Sequence, residues 1–359
     1  MIYTKEHWHT LKRSNRFQFL FEIAMLIAVA QSKGMAPRGE KAWDRISDDF
    51  ESIYGKAKHL WCDVRAIRDP EHVSFLKNYK IDLYEAHQDL DQIQRLKETA
   101  VNWMKPRVRL GEHLELTPMP STKNALIEFL YKHKQRQIRI HQQEYWNKSH
   151  LNSVNADTKY FVDPKDLAEN DCIVMSLPLH GTYSVPSWTN ELFEVCERKN
   201  IPILLDLCWV WFQHDIFLEL KSPSIDTITC TLGKAFPIEG FRQGFKFVSK
   251  IHLSKYDTTY TTNRFGNQLL IDFMLRFPCD DIVRKYKQKQ EYWCNRLGLK
   301  KTNSVHNAVA GDDLLWYAEH KHLVEDGVNQ NFLNLIPLYE NHDMVVDFIN
   351  QTNTGRFGF

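Results

Sequence analysis

Apolar positions recur at helical spacing over the first hundred residues. They fall at Phe17, Phe21, Ala24 and Ala28, and again at Trp43, Ile46, Phe50 and Tyr54, which is the stripe of an amphipathic helix. A third helix is predicted from about Leu83 to Met104. It carries Leu83, Leu90, Ile93, Leu96, Ala100 and Trp103, and Pro106 ends it. From about residue 113 the pattern changes to short apolar runs separated by helical stretches. His113–Thr117, Gln137–His141, Cys172–Leu177, Ile203–Asp206, Thr227–Cys230 and Phe245–Val248 are predicted strands. Helices are predicted near Thr122–Lys134, Ser187–Lys199 and Asn267–Phe277, with a long one near Asp281–Leu297. Short apolar runs alternating with helices imply an α/β fold, with a mostly parallel central sheet covered by helices on both faces. The expected organisation is a helical N-terminal segment over 1–105, a large α/β domain over 106–298 and a small α+β lobe over 299–359.

Composition narrows the class. The chain has 359 residues, 43% of them hydrophobic, enough for a large core. A formal net charge of +1 gives no reason to expect a nucleic-acid partner. Seven cysteines at irregular positions show no metal spacing and suit a reduced, cytoplasmic protein. The run Phe17–Ala30 is too short to span a bilayer and is interrupted by Glu22, so it is expected to be a buried helix, with no membrane partner.

The candidate chemistry lies in Thr231-Leu232-Gly233-Lys234, followed eight residues after the lysine by Arg242 in Gly240-Phe241-Arg242-Gln243-Gly244. Upstream, Asp206 ends the apolar run Ile201-Pro202-Ile203-Leu204-Leu205. An amine can form an imine with an aldehyde. A hydroxyl and a guanidinium can bind phosphate oxygens, and a buried acid needs a partner such as a ring nitrogen. Pyridoxal 5′-phosphate (PLP) carries the aldehyde, the phosphate and the ring nitrogen. Asp206 and Lys234 also fall at or just past predicted strand ends, where ligands gather in open α/β sheets.

Residues 201–248 resemble the PLP-dependent aminotransferases of the aspartate aminotransferase superfamily (fold type I). The likeness extends more weakly over about 113–300. It implies a catalytic Schiff-base lysine at Lys234, a pyridine-nitrogen partner at Asp206 and phosphate ligands at Thr231 and Arg242. It matches the family's phosphate turn to Pro120-Ser121-Thr122-Lys123-Asn124-Ala125, making Ser121 and Thr122 further ligands, with Pro120 where glycine is common. Tyr145 would stack on the cofactor ring, with Trp146 as the other candidate. His180 and Trp209 stand where the family has an asparagine and a tyrosine that donate to the ring's phenolic oxygen. Arg356 would bind the substrate carboxylate. The resemblance also implies a homodimer, with residues around Tyr260–Asn263 reaching the neighbour's phosphate, and a small-molecule substrate, an amino acid or keto acid.

The expected reaction is amino-group transfer. A PLP-dependent lyase, decarboxylase, racemase or Cα–Cβ enzyme is the alternative, because orientation in the pocket decides which bond breaks. A non-catalytic PLP-fold protein is the third reading. Each of these residues also has a plainer role open to it. Lys234 fits a surface turn, Asp206 and Ser121 fit helix N-caps, Tyr145 fits the core, and Arg356 fits a basic tail.

Overall fold

The computed structural model describes residues 66–144, 157–252, 262–297, 299–310, 321–323, 329–340 and 342. These residues separate into two compact units, one within Arg68–Lys285 and one built largely after Tyr286. Among the described residues, no helix is long and apolar enough to cross a membrane.

The first unit opens with α1 (Pro70–Asn78), α2 (Leu83–Gln88) and α3 (Gln92–Met104). The single helix expected over 83–104 is therefore two. Asp89 closes α2 and Asp91 sits at the N-cap of α3. Two acids beside one leucine favour a break because Asp competes for nearby backbone groups. The unexpected helix α1 has a plain local cause. The Asp69 side chain accepts from the Glu71 and His72 N–H groups, and Pro70 stands at the first helical position. The His72 ring packs 5.3 Å from Phe236, and its Nε2 lies 2.8 Å from Asp281 Oδ2.

The strands are β1 (Val108–Leu110), β2 (Leu114–Met119), β3 (Gln137–His141), β4 (Thr158–Phe161), β5 (Asp171–Ser176), β6 (Ile203–Asp206), β7 (Leu218–Leu220), β8 (Ile225–Cys230) and β9 (Gly244–Ser249). Seven of them form one sheet in the order β2-β9-β8-β6-β5-β3-β4, while β1 and β7 make a separate parallel pair. Every neighbouring pair in the large sheet is parallel except the two that involve β9. All residues of β5, β6 and β8 are buried, as expected for strands covered on both faces. Pro118 is tolerated because β2 is an edge strand.

Helices α4 (Thr122–Lys132), α5 (Thr189–Arg198), α6 (Arg264–Arg276) and α7 (Asp281–Leu297) follow the predicted order. On α4, Leu126, Phe129 and Leu130 pack with Ile138, Ile140, Cys172, Val174 and Leu204 of the sheet. The helix α3 belongs with this unit. Trp103 Nε1 donates to Phe277 O at 2.6 Å, and Arg95 donates to Gln268 Oε1 at 2.8 Å.

In the second unit, strands Lys300–Lys301, Asn307–Ala310 and Asn329–Asn334 pair antiparallel in that order, and a short helix α8 (Ile336–Glu340) follows. Tyr286 packs on Tyr339 at 5.3 Å, and Gln290 donates to the Ser304 and Asn307 carbonyls at 2.8 Å.

Candidate active site

Strand direction gathers the candidate residues at one edge of the large sheet. Asp206 ends β6, paired with Thr229 of β8 and Ser176 of β5. The chain leaves β8 at Cys230 into the Thr231–Lys234 turn, then returns into β9 at Gly244. In β2, Met119 pairs with Gly244, so the start of α4 comes to the same edge. Asp206, Thr231, Lys234, Arg242 and the α4 N-terminus thus share the carboxyl ends of β2, β6 and β8, where α/β sheets place ligands.

The lysine turn is fixed from both sides. Ala235 N and Phe236 N both donate to Leu232 O. A Cβ on Gly233 would lie 2.8 Å from Glu239 Cα, so only glycine lets the 239–241 turn close against it. Lys234 is exposed, with its Nζ 5.4 Å from the centre of the Trp209 ring, a cation facing a π-face. Trp209 is buried, with the His180 ring 4.8 Å away and the Tyr183 ring 5.2 Å away. Trp211 Nε1 donates to Thr231 O at 3.1 Å, which ties the loop after β6 to the start of the lysine turn.

Asp206 is buried, and its Oδ1 accepts from Thr229 Oγ1 at 3.0 Å and Cys208 N at 3.1 Å. Burial pushes its pKa up, while these donors and the nearby Lys234 charge pull the other way.

Arg242 is exposed and left-handed, with φ 49° and ψ 50°, an arrangement that costs a non-glycine residue energy. A Cβ on Gly244 would meet Cys230 O at 2.8 Å, Thr231 Cγ2 at 3.2 Å and Met119 Cε at 3.3 Å. This close approach brings the arginine turn against Thr231 and the end of β2. Ser121 caps α4. Its hydroxyl accepts from Asn124 N at 3.3 Å and donates to Asn124 Oδ1 at 2.6 Å. Thr122, half-buried, opens the helix, whose free N–H groups suit an anion. Tyr145 and Arg356, and Tyr260 with its expected reach to a neighbour, lie outside the described residues.

Glu144 has no part in the sequence motifs, yet it sits behind this edge. At the end of β3, Gln143 N donates to His141 Nδ1 and Glu144 N to His141 O. That turn sends the Glu144 carboxyl under the 176–180 segment. Its Oε1 accepts from Ser176 N at 3.1 Å and His180 N at 3.2 Å, and its Oε2 accepts from Ser176 Oγ at 2.9 Å. Burial, with a contribution from Asp206, raises its pKa from 4.5 to about 8. Below 4.5 the acid is protonated whether folded or unfolded. Between 4.5 and about 8 the unfolded chain ionises first, so stability falls as pH rises. Glu144→Gln is expected to flatten that fall by on the order of a few kcal/mol, read from melting curves at pH 5 and pH 8.5. An unchanged slope would assign the titration elsewhere. The sequence signal for this residue is slight, a lone acid between a strand end and two aromatics.

Neither a family model nor a curated protein matches the sequence. Solved structures do match by shape. A substrate-bound BacF from Bacillus subtilis is 15% identical, with a TM-score of 0.57, over 85% of this chain and 95% of that one. An aminotransferase from Neisseria meningitidis is 14% identical at TM-score 0.55, over 76% and 89%. A PLP-bound C-S lyase from Staphylococcus hominis, in its external aldimine form with L-cycloserine, is 14% identical at TM-score 0.54, over 71% and 78%. The chain therefore has the fold type I architecture that these aminotransferases and C-S lyases have in common.

Proposed function

We propose that this chain is a PLP-dependent enzyme acting on an amino acid or related amine, with amino-group transfer as its reaction. One observation carries the reading. An exposed lysine amine and a buried carboxyl lie at the same sheet edge, where a guanidinium turn, a hydroxyl residue and a helix start also gather. These groups fit PLP part by part. Lys234 would hold the aldehyde carbon. Asp206 would face the ring nitrogen. Arg242, Thr231, Ser121, Thr122 and the α4 N–H groups would hold the phosphate. When bound, PLP supplies an electron sink for charge left at the substrate Cα.

The chain's own work is orientation and proton handling. Asp206, kept in place by Thr229 and Cys208, would set its carboxyl against the ring nitrogen. Lys234 would serve as the base that takes the Cα proton. Trp209 and His180 form a packed aromatic wall beside that amine. Arg356 and Tyr145 keep their assigned roles, substrate carboxylate and ring stacking, as parts of this proposal. So do a cytoplasmic location and a homodimer with Tyr260–Asn263 near the neighbour's phosphate. The described cysteines, all free and buried, are compatible with a reducing compartment.

A PLP-dependent lyase is the second reading, because C-S lyases have the same fold at the same similarity. Incubation with PLP should give a visible absorption band that borohydride fixes onto the peptide carrying Lys234. Product formation from an amino-acid panel should then require a keto-acid acceptor. Pyruvate or ammonia release without an acceptor would favour the lyase, and a colourless protein in excess PLP would remove both readings.

A further inference from the structure

The side chain next to the candidate phosphate arginine is buried in a chain of amides. Gln243 Nε2 donates to Asn267 Oδ1 at 2.6 Å. Asn267, on α6, donates from Nδ2 to Gln92 Oε1 at 3.3 Å. Gln92, on α3, donates from Nε2 to Arg264 O at 2.9 Å. All three amide side chains are buried, with exposures of 8%, 0% and 2%. A buried amide that loses its partner pays the desolvation cost in full, so a continuous chain favours one arrangement over others.

The fit around Gln243 is close. A Cβ on Gly266 would lie 2.9 Å from both Gln243 Cγ and Oε1. Gly266 is helical, and its N–H donates to Asn263 Oδ1 at 3.0 Å, so no special backbone angle explains the glycine. Room for the Asn263 cap, whose Nδ2 would lie 2.8 Å from that Cβ, and for Gln243 does. The residue before Gln243 is the left-handed Arg242, and a non-glycine residue keeps that conformation only where its surroundings over-determine it. Gly244, locked into β9, supplies one constraint, and the anchored Gln243 side chain supplies the other.

We propose that the Gln92–Asn267–Gln243 amide chain is a positioning device that holds Arg242 in its left-handed turn for phosphate, and so links helix α3 to cofactor affinity. The inference rests on the phosphate role given to Arg242 above. The probes are PLP and pyridoxal, the same aldehyde without its phosphate, titrated by absorbance into the full chain.

Arg242→Ala is the reference and should weaken PLP by at least about tenfold while leaving pyridoxal nearly unchanged. Gln243→Leu and Gln92→Leu should show the same phosphate-selective loss, at about three- to tenfold. Gly266→Ala puts a methyl 2.9 Å from Gln243 Cγ and Oε1, so it should displace that side chain and lose PLP selectively, with a melting curve reading any cost to folding. An equal loss of both aldehydes, or no loss in any of the three, would overturn the proposal while leaving the PLP reading standing. A wild type that takes up neither aldehyde would remove both.

Discussion

Lys234→Ala is expected to give a folded protein that develops no visible band with PLP, and whose amino-transfer rate falls by on the order of 10³-fold or more. The lysine carries both the attachment point and the base, so its truncation removes two functions together. Stability should barely move. The side chain is exposed, and what it loses is the contact over the Trp209 ring, worth about 0.5–1 kcal/mol at such sites, and the pull of its charge on the Asp206 carboxyl. Lys234→Arg should not restore the band, because a guanidinium does not deprotonate under working conditions. Spectra, initial rates and a melting curve on the three proteins check this. A borohydride-stable label on the alanine variant would place the attachment on another amine.

Asp206→Asn should move binding and stability in opposite directions. The buried carboxyl has a raised pKa, so its contribution to folding is full below its unfolded pKa of 3.8 and lost as pH rises through the folded value. At neutral pH the wild type therefore bears an unfavourable buried charge, or the proton that relieves it. Asparagine keeps an acceptor for Thr229 Oγ1 and Cys208 N and removes that burden, so the variant is expected to melt at or above the wild-type temperature at pH 8. PLP affinity and turnover should fall by on the order of 10²-fold, the scale of losing one member of a desolvated charge pair. A variant less stable than wild type at pH 8 with undiminished PLP affinity would contradict both halves.

The parts of the fold legible in the sequence are those where burial leaves a continuous trace. β3, β6 and α7 have the bounds that the pattern predicts, from the alternation along Gln137–His141, the apolar run ending at Asp206 and the helical spacing of the apolar residues in α7. β1 and β7 have three residues each, too few for periodicity to register. The break between α2 and α3 is invisible to the hydrophobic stripe because Leu90 continues the helical spacing across it. Asp89 and Asp91 were the signal. Within the candidate site, Thr231, Lys234 and Arg242 lie within twelve residues of chain and read as a motif. Glu144 does not, because its partners Ser176 and His180 are 32 and 36 residues away. Thr229 escapes for another reason. Every residue of β8 is buried, so nothing in the pattern marks the one that faces Asp206.

The single reversed strand has a geometric consequence. Had the chain after Cys230 crossed over to run parallel, Arg242 would have been carried off along a connecting helix, away from the lysine. Because β9 turns back directly, one hairpin-like loop spans the distance from the amine to the guanidinium, with Gly233 and Gly244 clamping its two feet against Glu239 and Cys230. The spacing between those two groups is thereby a fixed length of chain, and the anchored Gln243 sets how its arginine end is turned. Adding or deleting a residue between 234 and 242 would detune that molecular caliper, while a change of similar size in an outer loop would leave it set.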